Sequence, residues 1–190
     1  MKKHYLSLLL SVLALAGTTI AQADTFKIDP VHSAIIFKIG HFGVGHVYGR
    51  FDTFSGTFTF DQSDPSKDAA NVEIKTDSVD TNFPDRDKHI KSPDFFNAAQ
   101  YPTATFKSTA VKKVDDKTYE VTGDFTLRGV TKPLTLNLQV IGTGPGPKGE
   151  TRMGWEGAAT LKRSEFDVKT FLPAVTDDVD LIIAAEGIKQ

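Results

Sequence analysis

Few side chains in this chain of 190 residues could do chemistry. There are no cysteines, so there is no thiol nucleophile, no disulfide and no thiolate metal ligand. Five histidines are present, and His32, His41, His46 and His89 follow the leader. His41 and His46 lie five apart with glycines between them, which suits a strand end or a turn. A metal site needs ligands converging at short spacing. No such set stands out, so none is expected. Ser33, Ser55, Ser92, Ser108 and Ser164 lie outside any G-x-S-x-G elbow. No Gly-rich phosphate loop runs from a strand into a helix.

One charged cluster remains, Asp85, Arg86, Asp87 and His89. Arg86 and the acids could pair to fix a loop. Alternatively, Arg86 and His89 could meet a polar or phosphate head group. A hydrolase using Asp85 or Asp87 with His89 would need a carboxylate–imidazole pair in a pocket, and the sequence offers only proximity along the chain. The expectation is a binding protein, not an enzyme.

The leader is legible. Lys2 and Lys3 precede an apolar run from Leu6 to Ala16, and Ala21-Gln22-Ala23 is a small-x-small cleavage signal. The run falls short of the ~18–20 residues that span a bilayer. Residues 1–23 are therefore expected to be a signal peptide. One domain over 24–190, not embedded in a membrane after cleavage, would remain. The chain's formal charge is −2, and no basic block is present. Nucleic acid is a poor partner for such a surface.

The domain reads as strands. Ile35, Phe37, Ile39 and His41 share one face, as do Val47, Gly49 and Phe51. The phase then slips, because Phe54, Gly56, Phe58 and Phe60 fall at even numbers. That slip marks a bulge or bend near Thr53. A straight Val44–Phe60 strand would measure about 55 Å, longer than the ~40 Å width of such a domain, so it must curl. Val72, Ile74 and Thr76 make a short strand. Phe106, Ser108 and Ala110 share a face of the next. Later alternations run through Tyr119–Leu127, Leu134–Val140, Trp155–Leu161 and Val179–Gly187.

Between them the two-residue period disappears. Asp85 is placed to cap a short helix over Arg86 to Lys91. Ser92-Pro93-Asp94 resembles a second helix start. Phe95 and Phe96 follow, as a plug against the sheet. The fold class is thus all-β: an antiparallel up-and-down barrel of about eight strands with a short helical excursion near residues 85–99. A two-sheet sandwich is the structural runner-up.

Three segments carry a family resemblance: Asp29 to Phe51 (DPVHSAIIFKIGHFGVGHVYGRF), Arg86 to Ser108 (RDKHIKSPDFFNAAQYPTATFKS) and Gly123 to Leu136 (GDFTLRGVTKPLTL). With Lys162 to Phe166 and the closing strand, they resemble the YceI family over nearly the whole mature chain. The resemblance implies a lipocalin-like barrel, export to the periplasm and binding of a long apolar chain such as a polyisoprenoid or quinone-like lipid. It also implies a homodimer as a common state. One departure is Asp167, where the family commonly has glycine.

The inward face mixes aromatics with small residues. Phe37, Phe58, Phe106, Phe125 and Trp155 are expected to wall an apolar tunnel, with Gly123 and Gly157 leaving room in it. Arg86 and His89 would stand at its mouth, closed by the Phe95-Phe96 plug. Burying about 15 carbons at ~0.8 kcal/mol each is worth about 12 kcal/mol gross, before association costs. No cofactor is expected beyond such a lipid. The competing classes are a stress-response or structural protein with a packed core and no ligand, and a small lipid-modifying enzyme.

Overall fold

The computed structural model describes residues 23–190. The expected signal segment, apart from Ala23, lies outside the described residues. The strands are β1 (Asp24–Ile28), β2 (Ala34–His41), β3 (Gly45–Phe51), β4 (Phe54–Phe60), β5 (Ala69–Lys75), β6 (Val79–Asp80), β7 (Thr103–Lys113), β8 (Thr118–Leu127), β9 (Val130–Pro145), β10 (Thr151–Lys162) and β11 (Val175–Lys189). The one α-helix among the described residues is α1 (Pro84–Lys91).

These strands form a closed antiparallel barrel of eight staves, because the first three staves are each broken once. β1 pairs with the C-terminal end of β11, and β2 pairs with its N-terminal part. Their hairpin partners divide the same way: β4 lies against β1, and β3 against β2. β5 and β6 then line up on β4 and β3. The remaining staves, β7 to β11, follow as a meander, and β11 closes the ring onto β1.

Serine side chains cover the breaks. Pro30 lacks an N–H and stops the ladder after β1. Beyond it, Ser33 Oγ accepts from the Glu186 N–H at 2.9 Å and donates to the Glu186 carbonyl at 3.3 Å. At the expected bend near Thr53, the Thr53 N–H donates to Ser78 Oγ at 3.0 Å. In both places a hydroxyl takes a backbone hydrogen bond where the strand pairing breaks.

Two local expectations are corrected. β7 is bulged between Ser108 and Ala110, so Ala110 turns outward and Val111 takes the inward place beside the core. The Ala70 N–H donates to Ser108 Oγ at 2.8 Å beside the bulge. Asp85 does not cap the helix. Phe83 is the N-cap, Pro84 fills the first turn, and Asp87 accepts from Thr81 instead. Ser92 ends α1, and residues 93–100 form successive turns with no second helix.

The three breaks divide the interior. The β1–β4 end is filled. Phe26 stacks on Phe58 at 5.0 Å, and Trp155 meets Phe58, Phe60 and Tyr119 edge to face. Each ring buried there contributes about 1.5–3 kcal/mol by leaving water. The β2–β3 end is hollow.

Candidate functional site

The hollow end holds a cavity of about 220 Å³. Inward residues of β2 and β3 (Phe37, Ile39, Val47, Phe51) line one side, and those of β8, β10 and β11 (Phe125, Leu127, Leu161, Val179, Leu181) line the other. α1 and the turns after it cover the end with Ile90, Phe95 and Phe96. Phe96 packs on Phe51 at 5.8 Å. The wall is apolar except at His41, Arg86, His89 and Arg163.

The expected site residues therefore separate into two groups. Phe37, Phe125, Arg86, His89, Phe95 and Phe96 come together around the cavity. Phe58, Phe106, Trp155, Gly123 and Gly157 lie outside its wall, toward the packed end. The two glycines open no room. A Cβ on Gly157 would fall 2.2 Å from the Asn137 carbonyl oxygen, and one on Gly123 would fall 2.5 Å from that of Lys107. Both let neighbouring strands approach closely, so a tunnel through the whole barrel is replaced by a cavity in one half.

The polar residues at the mouth are held without exhausting their chemistry. Arg86 does not pair with Asp85 or Asp87. Its Nε donates to Thr81 Oγ1 and its Nη2 to the Thr81 carbonyl, both at 2.7 Å. Thr81 Oγ1 in turn donates to Asp87 Oδ1 at 2.5 Å. Thr81, itself buried, is thus the hub that orients Arg86. His89 Nε2 lies 3.0 Å from Asp94 Oδ2, so the hydrolytic pairing with Asp85 or Asp87 does not form. The His89 ring meets Phe95 and Phe171 edge to face at 5.1 and 5.9 Å.

Arg163 was not singled out from the sequence as a site residue. It is 4% exposed, and its guanidinium donates to the carbonyls of Val168, Thr170, Val175 and Thr176. Burial lowers its pKa from the usual arginine value. It gathers the loop between β10 and β11 against the cavity. A signal was present: Trp155, Gly157, Ala159, Leu161 and Arg163 continue one inward phase.

A second polar cluster lies near the ends of β1 and β11. Asp29, His32 and Glu186 present ligand-type atoms within 4.8 Å of one another. Arg152 already stands among them, donating to Asp29 Oδ2 at 2.8 Å and Glu186 Oε1 at 2.5 Å. Hydrogen bonds from His32 and Arg152 hold Asp29 down to about 2. The guanidinium supplies the positive charge that a metal would bring.

A model of the YceI-like domain matches residues 26–187. The chain belongs to the YceI family. It is 47% identical over 192 residues to Protein YceI of Escherichia coli O157:H7, across the full length of both. The crystal structure of Burkholderia cenocepacia BcnA matches with a TM-score of 0.77 at 26% identity, covering 84% of this chain and 98% of that one. A polyisoprenoid binding domain from Saccharophagus degradans matches with a TM-score of 0.66 at 17% identity, covering 87% and 98%. At that identity the fold alone is shared.

At Asp167, where the resemblance implies a glycine, the backbone suits one. Asp167 adopts φ +62 and ψ 20, a left-handed conformation. Aspartate tolerates it better than most residues. Lys169 Nζ, at 2.7 Å from Asp167 Oδ1, holds the side chain. Among the described residues no helix is long and apolar enough to cross a membrane.

Proposed function

We propose that this protein binds the apolar chain of a polyisoprenoid or quinone-like lipid, inserting the chain end into the half-barrel cavity. Arg86 and His89 meet the head group at the mouth, and Phe95 and Phe96 cover the bound chain. The apolar cavity beneath a polar mouth carries this proposal. Membership of the YceI family and the fold shared with a polyisoprenoid binding domain support it. Because the β1–β4 end is packed, the cavity takes the terminal part of a long chain, not its whole length.

The signal pattern over residues 1–23 supports action in the periplasm, where a water-soluble carrier would shield a lipid that water rejects. Binding, not turnover, is the proposed activity, and the mostly apolar wall of the cavity supports it. The test is mass spectrometry of an organic extract from protein purified without detergent. An isoprenoid-chain lipid at near one per protein is the expected result. An empty wild-type protein that also fails to take up added polyprenol would leave the ligand-free structural role standing instead.

A further inference from the structure

The cavity reaches solvent between two chain segments. Of the residues that line it, His41 and Phe171 are the exposed ones. His41 begins the β2–β3 turn, and Phe171 belongs to the loop before β11. The Phe42 N–H donates to the Ala174 carbonyl at 2.6 Å, so the two segments form one rim.

The two tips of that rim are apolar, with His41, His46 and Lys169 flanking them. Phe42 is 59% exposed, Val44 86%, Phe171 54% and Leu172 36%. Phe-Gly-Val-Gly over residues 42–45 and Thr-Phe-Leu-Pro-Ala over residues 170–174 hold no ionisable side chain. Two of the exposed rings also sit on costly backbone, Phe42 at φ +52 and Phe171 at φ +64. A bulky residue there is strained, and an exposed ring regains little of that by packing. Charges nearby, on α1, alternate in sign: Asp85, Arg86, Asp87 and Lys88.

We infer that this rim is a bilayer-docking surface, in which Phe42, Val44, Phe171 and Leu172 enter the headgroup–acyl boundary and set the cavity mouth against the lipid. The choice of occupant rests on three observations. The patch is continuous with an apolar cavity through Phe171, so a chain leaving the bilayer would pass from one apolar surface to another without crossing water. It projects as two loop tips flanking an opening, a shape that penetrates a soft interface. Its tips carry no charged side chain, and the flanking Lys169 is paired with Asp167, so attachment comes from apolar insertion and does not depend on anionic lipid. The inference builds on the lipid-carrier proposal by naming the lipid's source.

Flotation with phosphatidylcholine vesicles tests it, using the wild type and a Phe42→Ser, Val44→Ser double variant. Both positions are exposed and outside the cavity wall, so folding and the cavity should be intact. Uptake of the apolar fluorophore N-phenylnaphthylamine without vesicles reads the cavity separately. The expected result is wild-type flotation that survives high salt, a loss of about tenfold in the variant, and equal fluorophore uptake by both. Three results would overturn it: no flotation of the wild type, undiminished flotation of the variant, or flotation restricted to anionic vesicles at low salt. A wild-type dimer that the double variant breaks, without vesicle binding by either, would also overturn it and give the patch to a second copy of the chain. Flotation that the variant loses, with no fluorophore uptake by the wild type, would uphold docking and remove the carrier proposal.

Discussion

Gly157 of β10 pairs with Leu138 of β9, and the strands lie so close that a Cβ on Gly157 would fall 2.2 Å from the carbonyl oxygen of Asn137, the residue before Leu138. Adjacent strands there leave no room for a side chain. Gly157→Val should therefore destabilise the barrel by about 2–3 kcal/mol, because the obstacle is backbone and cannot turn aside. Denaturant melts check this. A variant as stable as the wild type would mean that the strands can separate at this point.

Volume added in the hollow half should act differently. Val179 lines the cavity, and Val179→Phe places a ring in it. Stability is expected to stay within about 1 kcal/mol, while lipid recovered in organic extract falls severalfold. Thermal melts and extraction are read side by side. Loss of stability with lipid retained would locate the ligand elsewhere.

Thr81 should matter more than its size suggests. Its hydroxyl accepts from Arg86 Nε and donates to Asp87 Oδ1. Thr81→Val keeps the shape and leaves two charged groups without that partner, at an expected cost of about 2–3 kcal/mol. Thr81→Ser should stay within about 1 kcal/mol. Chemical denaturation of the pair separates the hydroxyl from the methyl.

Stability should also rise on mild acidification. Asp68 is pushed up to about 6, chiefly by burial, with the Asp61 and Asp64 charges adding to it. The folded chain takes up this proton before the unfolded one, so the penalty is full above pH ~6 and fades toward pH ~4. Asp29 and Asp61 are held near 2 and act oppositely. Their stabilisation is present above pH ~4 and is lost as pH falls through about 2. Asp68→Asn keeps the acceptor for the Asp61 N–H, now at 2.6 Å, and removes the charge. It should stabilise by about 1–2 kcal/mol at pH 7 and by nothing measurable at pH 4. Melting temperature against pH for both proteins gives the answer.

At Asp167 the backbone decides. Asp167→Ala should cost about 1 kcal/mol, because alanine meets the left-handed penalty without a polar side chain to offset it. Asp167→Gly should be near neutral, since relief of φ +62 is offset by the freer unfolded chain. Comparable destabilisation by both would place the effect in the Lys169 contact.

Much of this protein was legible in its sequence because a two-residue period is local. Phe37, Ile39, Val47, Phe51, Phe125 and Leu161 announce an inward face through their own spacing, and eight such alternations imply a barrel. The phase slip near Thr53 marked the bend for the same reason. The charged run at Asp85 to His89 and the adjacent Phe95 and Phe96 were legible as the cover of one end. Which half of the barrel is hollow was not. Phe58 and Phe37 both point inward, yet Trp155 packs on the first while the second lines the cavity. That difference is set by what arrives from across the barrel, from strands about a hundred residues away. The glycines misled for a related reason: a missing side chain looks like space along one strand, but at Gly157 the neighbouring backbone occupies it. Arg86 likewise gave its charge and its neighbours in the chain, whereas Thr81 became its partner only when β6 and the start of α1 folded against each other. Periodicity determined the staves and their inward faces; close approach between distant strands decided the cavity.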